Sequence, residues 1–183
     1  MLFRILSIVF VLVVLSACSI PAPKYTPSYQ NVQLIKGEGS GVNVEPFTGE
    51  PKLGVISLRA SSLSSPYGKD FIHYIEVALE SELEKAGLLQ EGSSRKITAV
   101  IKKNNLDSSS FSVGEGVIRA TFSVIDSGEV IYMKTVGAKI QWESSFIGAI
   151  AIPNAAESYP KLVTTLLRNL YSDKEFVSAL AIN

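Results

Sequence analysis

The strongest hydrophobic pattern in the chain is a helical stripe in KDFIHYIEVALESELEKAGL. Phe71, Ile75, Ala78, Leu79, Leu83 and Ala86 recur at helical spacing and form one apolar face. Glu76, Glu80 and Glu84 line another face, which reads as solvated. Lys69 or Asp70 opens this helix. Lys85 sits in the last turn, where the dipole favours a cation, and Gly87 is placed to stop it.

Downstream the pattern alternates. RKITAVIKKNNLD predicts a strand from about Lys96 to Asn104, with Ile97, Ala99 and Ile101 on one side. GVIRATFSVIDSGEVIYMKTVGAKIQW predicts a hairpin. Ile118, Ala120, Phe122 and Val124 face one way, and Val117, Arg119, Thr121 and Ser123 the other. Asp126-Ser127-Gly128 supplies the turn, with Gly128 free to take a positive φ, and the return strand runs from Val130 to about Trp142. A second helix is expected from near Ser158, because Pro160 fits a first turn; Leu162, Val163, Leu166, Leu167 and Leu170 form its stripe. In a short last helix, Ser172 and Glu175 have capping-box spacing, and Phe176, Val177 and Leu180 would dock it.

Upstream, LGVISLR (Leu53–Arg59) reads as a buried strand and the stretch from Ser61 to Gly68 as a polar loop. The order β-α-β-β-β-α predicts an α+β domain over 53–183. Its sheet is mainly antiparallel, with two main helices on one face and the short helix at the C-terminus. The first helix would serve as a crossover between two strands. Residues 18–52 carry Pro21, Pro23, Pro27, Pro46, Pro51 and the run Gly37-Glu38-Gly39-Ser40-Gly41. They read as a Pro/Gly-rich tether that lets the domain stand off, with Asn31–Lys36 as a short strand.

The N-terminus, MLFRILSIVFVLVVLSAC, has one basic residue, Arg4, an apolar run and a small-residue exit. This is the layout of a secretory leader over 1–17, and the run is short for a spanning helix of about 20 residues. Leu15-Ser16-Ala17-Cys18 resembles the lipobox of bacterial lipoproteins. That resemblance implies cleavage before Cys18 and a diacylglycerol thioether on its sulfur, usually with an N-acyl chain, so the partner it brings is a membrane. Ser19 in place of the inner-membrane-retaining Asp implies the outer membrane, at its periplasmic face. Cys18 is the only cysteine, so no disulfide supports the fold.

Composition narrows the partners. Seventeen basic and seventeen acidic residues cancel, and there is no basic tract, so nucleic acid is not expected. The run from Gly54 to Leu180, with its QWESSF, AIPNA, YPKLV and LL segments, is similar to Gram-negative lipoproteins. Its order of elements is similar to YajG-like lipoproteins, auxiliary lipoproteins of ABC transporters and the N-terminal domain of TolB. This resemblance implies envelope assembly or transport accessory work.

Candidate chemistry is sparse. His73 is the only histidine and lacks the partners that a nucleophile–base pair or a zinc site needs; it reads as a partly exposed surface residue. Gly37-Glu38-Gly39 and Gly114-Glu115-Gly116 lack the strand–turn–helix context of a phosphate loop and read as flexible. No Gly-x-Ser-x-Gly motif or calcium-loop spacing occurs. The chain therefore reads as a non-enzyme, with no catalytic residue, metal or cofactor assigned. The most unusual stretch runs from Trp142 to Pro153. It either closes the core between hairpin and helix or forms an exposed contact surface anchored by Trp142, Phe146 and Ile147. The expected function is a lipid-anchored periplasmic component that binds an envelope protein or itself. The alternative is a lipid- or peptide-binding lipoprotein with a groove lined by Phe122, Tyr132, Trp142 and Phe146.

Overall fold

The computed structural model describes residues 19–37, 39–59 and 61–181. The expected leader, Cys18 and Glu38 lie outside the described residues. In chain order the elements are β1 (Ser19–Pro21), α1 (Tyr29–Ile35), β2 (Asn43–Val44), β3 (Thr48–Gly49), a 3₁₀ turn (Pro51–Gly54), β4 (Ile56–Leu58) and β5 (Ser61–Ser64). There follow α2 (Phe71–Ala86), β6 (Arg95–Asp107), β7 (Val113–Asp126), β8 (Glu129–Glu143), α3 (Gly148–Tyr171) and α4 (Lys174–Ala181).

The fold is α+β, built on a long antiparallel meander of β6, β7 and β8. Alternation orients it. Ile97, Ala99, Ile101, Ile118, Ala120, Phe122 and Val124 all point into the core. The opposite face is open to solvent, where the Thr121 and Thr135 hydroxyls meet at 2.8 Å across the β7–β8 pair. The hairpin turn is tight because Ser127 (φ 51°) and Gly128 (φ 90°) both take left-handed backbone, the twist that a two-residue turn requires. Helix α2 is framed by its caps. Asp70 accepts from the His73 N–H at 2.9 Å, and Gly87 (φ 76°) closes the other end. Phe71, Ile75, Ala78, Leu79 and Leu83 are buried, and Ala86 half-buried.

The polar loop expected from Ser61 contains a strand instead. β5 pairs antiparallel with β4 and parallel with β1, so β4 belongs to a separate three-stranded sheet. Helix α2 thus passes from one sheet to the other rather than crossing between neighbouring strands. The parallel edge of β6 is taken by β2 and β3.

The second helix starts ten residues earlier than Pro160 suggested, at Gly148 rather than Ser158. Pro153 and Pro160 both lie inside it, two turns apart on the less buried side, and Ser158 and Thr164 hydroxyls donate back to the Asn154 and Pro160 carbonyls. The buried face is continuous through Ala151, Ala155, Tyr159, Leu162, Leu166 and Leu170. Helix α4 is capped by Asp173, whose carboxylate accepts from the Glu175 N–H at 3.0 Å, and not by Ser172, which bonds back to the Arg168 carbonyl.

The largest departure is the segment 19–52, which is not a free tether. Its stretch Asn31–Lys36 contributes to a helix, α1, rather than a strand, and Ala22, Tyr25, Val32, Ile35, Val42 and Phe47 join the core. The reason is a buried carboxylate. Glu82 on α2 is fully buried, and its Oε1 accepts from the Tyr25 hydroxyl (2.5 Å), the Ser28 N–H (3.0 Å) and the Asn31 amide (3.2 Å). Asn31 in turn donates to the Thr164 carbonyl at 2.9 Å and accepts from Arg168 Nε at 3.3 Å, which ties α1 to α3. A carboxylate out of water demands donors, and three of them come from the segment. Glu76 adds a second tie, its Oε2 accepting the Phe47 N–H at 2.7 Å.

Burial pushes the Glu82 carboxyl above its ordinary value, and the donors from Tyr25, Ser28 and Asn31 offset this only in part. The folded group thus keeps its proton to higher pH than the unfolded one. Its contribution to stability is full below the ordinary glutamate value and declines as pH rises towards the shifted one. In urea titrations across pH, Glu82→Gln is expected to flatten that decline. Glu82→Ala is expected to destabilise at every pH, by about 1–3 kcal/mol for each buried donor left without a partner.

Candidate functional site

Three connections meet at one end of the molecule: the β4–β5 turn, the β6–β7 loop and the β8–α3 loop. Arg59, in the turn, holds the other two. Its Nε and Nη2 donate to the Ser108 carbonyl at 2.9 and 2.7 Å, its Nη1 to the Phe146 carbonyl at 2.9 Å, and Nη2 also to the Ser145 carbonyl at 2.6 Å. Arg59 itself sits at φ 51°, a conformation that costs a non-glycine residue about 1 kcal/mol or more. The two loops are also joined directly, the Ser144 N–H donating to the Ser112 carbonyl at 2.8 Å.

With their carbonyls turned inward to the guanidinium, the loops carry apolar side chains outward. Phe111 and Phe146 are each 73% exposed, and their rings lie 5.5 Å apart at 34°. Val113, Ile147 and Ile150 beside them are 44%, 57% and 48% exposed. The stretch from Trp142 to Pro153 is therefore divided between core and exposed surface. Phe146 and Ile147 are exposed, whereas Ala151 is buried and Trp142 is half-buried against the core. Trp142 lies flat on Gly114, where a Cβ would collide with the indole, and a Cβ on Gly116 would meet the Leu162 and Leu106 side chains. The Gly114-Glu115-Gly116 run is thus a place of close approach within β7 rather than a flexible opening. Ser108 Oγ, Trp142 Nε1 and Ser144 Oγ are buried at this end with no hydrogen-bond partner among the described residues.

The groove expected from Phe122, Tyr132, Trp142 and Phe146 is not assembled. Phe122 packs edge-on to Phe47, and Tyr132 edge-on to Phe176, both in the core. His73 is partly exposed, as expected. Its Nδ1 lies 2.9 Å from Glu76 Oε1, on a cleft of about 430 Å³ lined also by Phe47, Thr48, Lys69 and Asp70. The Glu76 carboxylate orients this ring with one oxygen and holds the Phe47 N–H with the other, so the pair fastens the Pro46–Gly49 strap over α2. Of the expected solvated stripe, only Glu84 is exposed. Glu80 is half-buried, its carboxyl pushed up by desolvation and by the nearby Glu76. Sequence reasoning passed over Arg59 and Glu82; the one available signal was that Glu82 falls within the apolar arc of its own helix.

Among the described residues no three His, Cys, Asp or Glu side chains converge as metal ligands, and no helix is long and apolar enough to cross a membrane. What the arrangement can do is present a rigid apolar end on an α+β body.

The class defined by this fold is a small α+β domain with a long three-stranded meander covered by helices on one face. No protein-family model and no curated protein matches the sequence. Solved structures do resemble it. A Xanthomonas campestris protein of the family DUF330 is similar at TM-score 0.64 and 12% identity, over 87% of this chain and 96% of that one. A minor lipoprotein from Acinetobacter baumannii is similar at TM-score 0.40 and 14% identity, over 71% and 92% of the two chains. The PelC protein of Paraburkholderia phytofirmans, solved as a dodecamer, is similar at TM-score 0.47 and 15% identity, over 81% and 92%. At 12% identity, the likeness to the DUF330 protein is one of fold.

Two substitutions test how the apolar end is held. Arg59→Ala is expected to speed amide hydrogen exchange in the loops at 108–112 and 144–147 while the meander stays protected. The loss is about 1–3 kcal/mol in all, reduced by the solvent around this exposed side chain. Arg59→Gly loosens the same loops but recovers part of the stability, because it relieves the positive φ. Gly114→Ala is expected to displace the indole and shift the emission of Trp142, the only tryptophan, which fluorescence reads directly.

Proposed function

We propose that this chain is a lipoprotein of the bacterial cell envelope, anchored through lipid on Cys18 at the periplasmic face of the outer membrane and acting there as a non-enzymatic binding or assembly component. The observation that carries the reading is the place of the motif in the chain. The lipobox-like Leu15-Ser16-Ala17-Cys18 comes directly before β1, so a cut before Cys18 would keep every described residue in the mature chain. One acyl chain binds a bilayer marginally and two or more bind it firmly, at about 0.8 kcal/mol per buried methylene, so diacylglycerol on Cys18 is a sufficient anchor.

The rigid apolar end supplies the contact surface, with Phe146 and Ile147 as its anchors and Trp142 as the packed support behind them. The resemblance of the order predicted from sequence to auxiliary lipoproteins of ABC transporters supports accessory work rather than turnover. A Cys18→Ser variant is expected to lose incorporation of labelled palmitate and to leave the membrane fraction. Retention of label on that variant would defeat the assignment.

A further inference from the structure

The register of the small sheet places the apolar end beside the point where the chain leaves the domain. β1 runs parallel to β5 with Ser19 opposite Ser62, and β4 runs antiparallel to β5 with Ser57 opposite the same Ser62. Ser19 therefore lies at the end of the sheet where the β4–β5 turn carries Arg59. Neighbouring strands are about 4.8 Å apart, so this is a matter of a few residue widths. Arg59 in turn grips the loops that bear Phe111 and Phe146. From Ser19 the chain runs away from that end, and the Ala22 N–H is already paired with the Ser64 carbonyl at 3.0 Å. Residue 18 is one peptide unit from Ser19, a Cα–Cα step of about 3.8 Å.

We propose that Phe111, Val113, Phe146, Ile147 and Ile150 form the face with which the domain seats on the phospholipid bilayer, next to the lipid on Cys18. The inference rests on the lipoprotein reading and names the partner of its contact surface. With no slack between residue 18 and β1, a lipid at that residue brings this end of the domain to the membrane. Apolar side chains there gain by entering the interface, and an orientation pivoted about residue 18 that lifted them off would forfeit that gain. The charges set the depth. Asp107 and Glu143 end their strands just behind the loops, and a charge in hydrocarbon is costly, so only the loop tips enter, to about 5–10 Å at the headgroup–acyl boundary.

The test uses the mature full chain. With Cys18 in a thioether, a single added cysteine is the only thiol. Phe111→Cys and Ile147→Cys carry an environment-sensitive fluorophore. Glu129→Cys is the comparison, at the far end of β8 and roughly 45 Å from Glu143 at about 3.3 Å per residue. Each protein is placed in vesicles of phosphatidylethanolamine and phosphatidylglycerol whose acyl chains bear nitroxides, and the mass of the N-terminal peptide is measured in the same samples. Labels at 111 and 147 are expected to lose emission to the nitroxides while the label at 129 keeps it. A lipidated Cys18 with unquenched labels at 111 and 147 overturns this inference and leaves the lipoprotein reading standing. The same result with those labels shielded by a co-purifying protein overturns it in favour of a protein partner. An unmodified Cys18 overturns both.

Discussion

A carboxylate with no access to water organises this molecule. Glu82 sits on the inner side of α2, and the three groups that satisfy it all come from residues 25–31. Without those donors the carboxylate would be stranded; without the carboxylate, the Tyr25 hydroxyl, the Ser28 N–H and the Asn31 amide would each lose an acceptor. Each side therefore requires the other, and the arrangement recruits a proline-rich segment into the core. Once held, that segment buries Val32 and Ile35, each contributing about 1.5–3 kcal/mol, and supplies β2 and β3 to the edge of β6.

The same logic recurs at the opposite kind of site. Arg59 is a cation that faces main-chain carbonyls rather than acids, and it gathers four of its hydrogen bonds from two loops that the sequence separates widely. Loops whose carbonyls are satisfied by one guanidinium have their side chains left to point outward. This is why Phe111 and Phe146 meet in the open rather than collapsing onto the core. The far end is closed by a second buried charge. Arg95 pairs with Asp126 at 2.8 Å, holding that carboxyl below its usual range, and donates to the last turn of α4 through the Leu180 carbonyl.

These ties connect folding to function. A segment that is part of the body cannot act as a spacer. The apolar end, the β4–β5 turn and the start of β1 lie together. The long meander then carries its β7–β8 turn to the opposite end of the molecule, away from Ser19.

Periodicity alone determined the meander, helix α2 with Asp70 and Gly87 at its ends, and the leucine stripe of α3, because alternation and helical spacing record which face of an element is dry. The apolar stretch from Trp142 to Pro153 marked Phe146 and Ile147 as a candidate surface, and the resemblance of Leu15-Ser16-Ala17-Cys18 to a lipobox marked Cys18 as the candidate attachment point. Tertiary structure alone decided the rest. Prolines at 153 and 160 read locally as helix breakers, yet the alanine and tyrosine face packed on the sheet outweighs their lost hydrogen bonds. Residues 19–52 read locally as a linker, since their composition holds no trace of a carboxylate on another helix, more than fifty residues away, that needs their donors. Arg59 reads as a surface charge until the fold brings the Ser108, Ser145 and Phe146 carbonyls to it. Local sequence encodes what a residue prefers beside its neighbours; partners distant in the chain and close in space are supplied only by the fold.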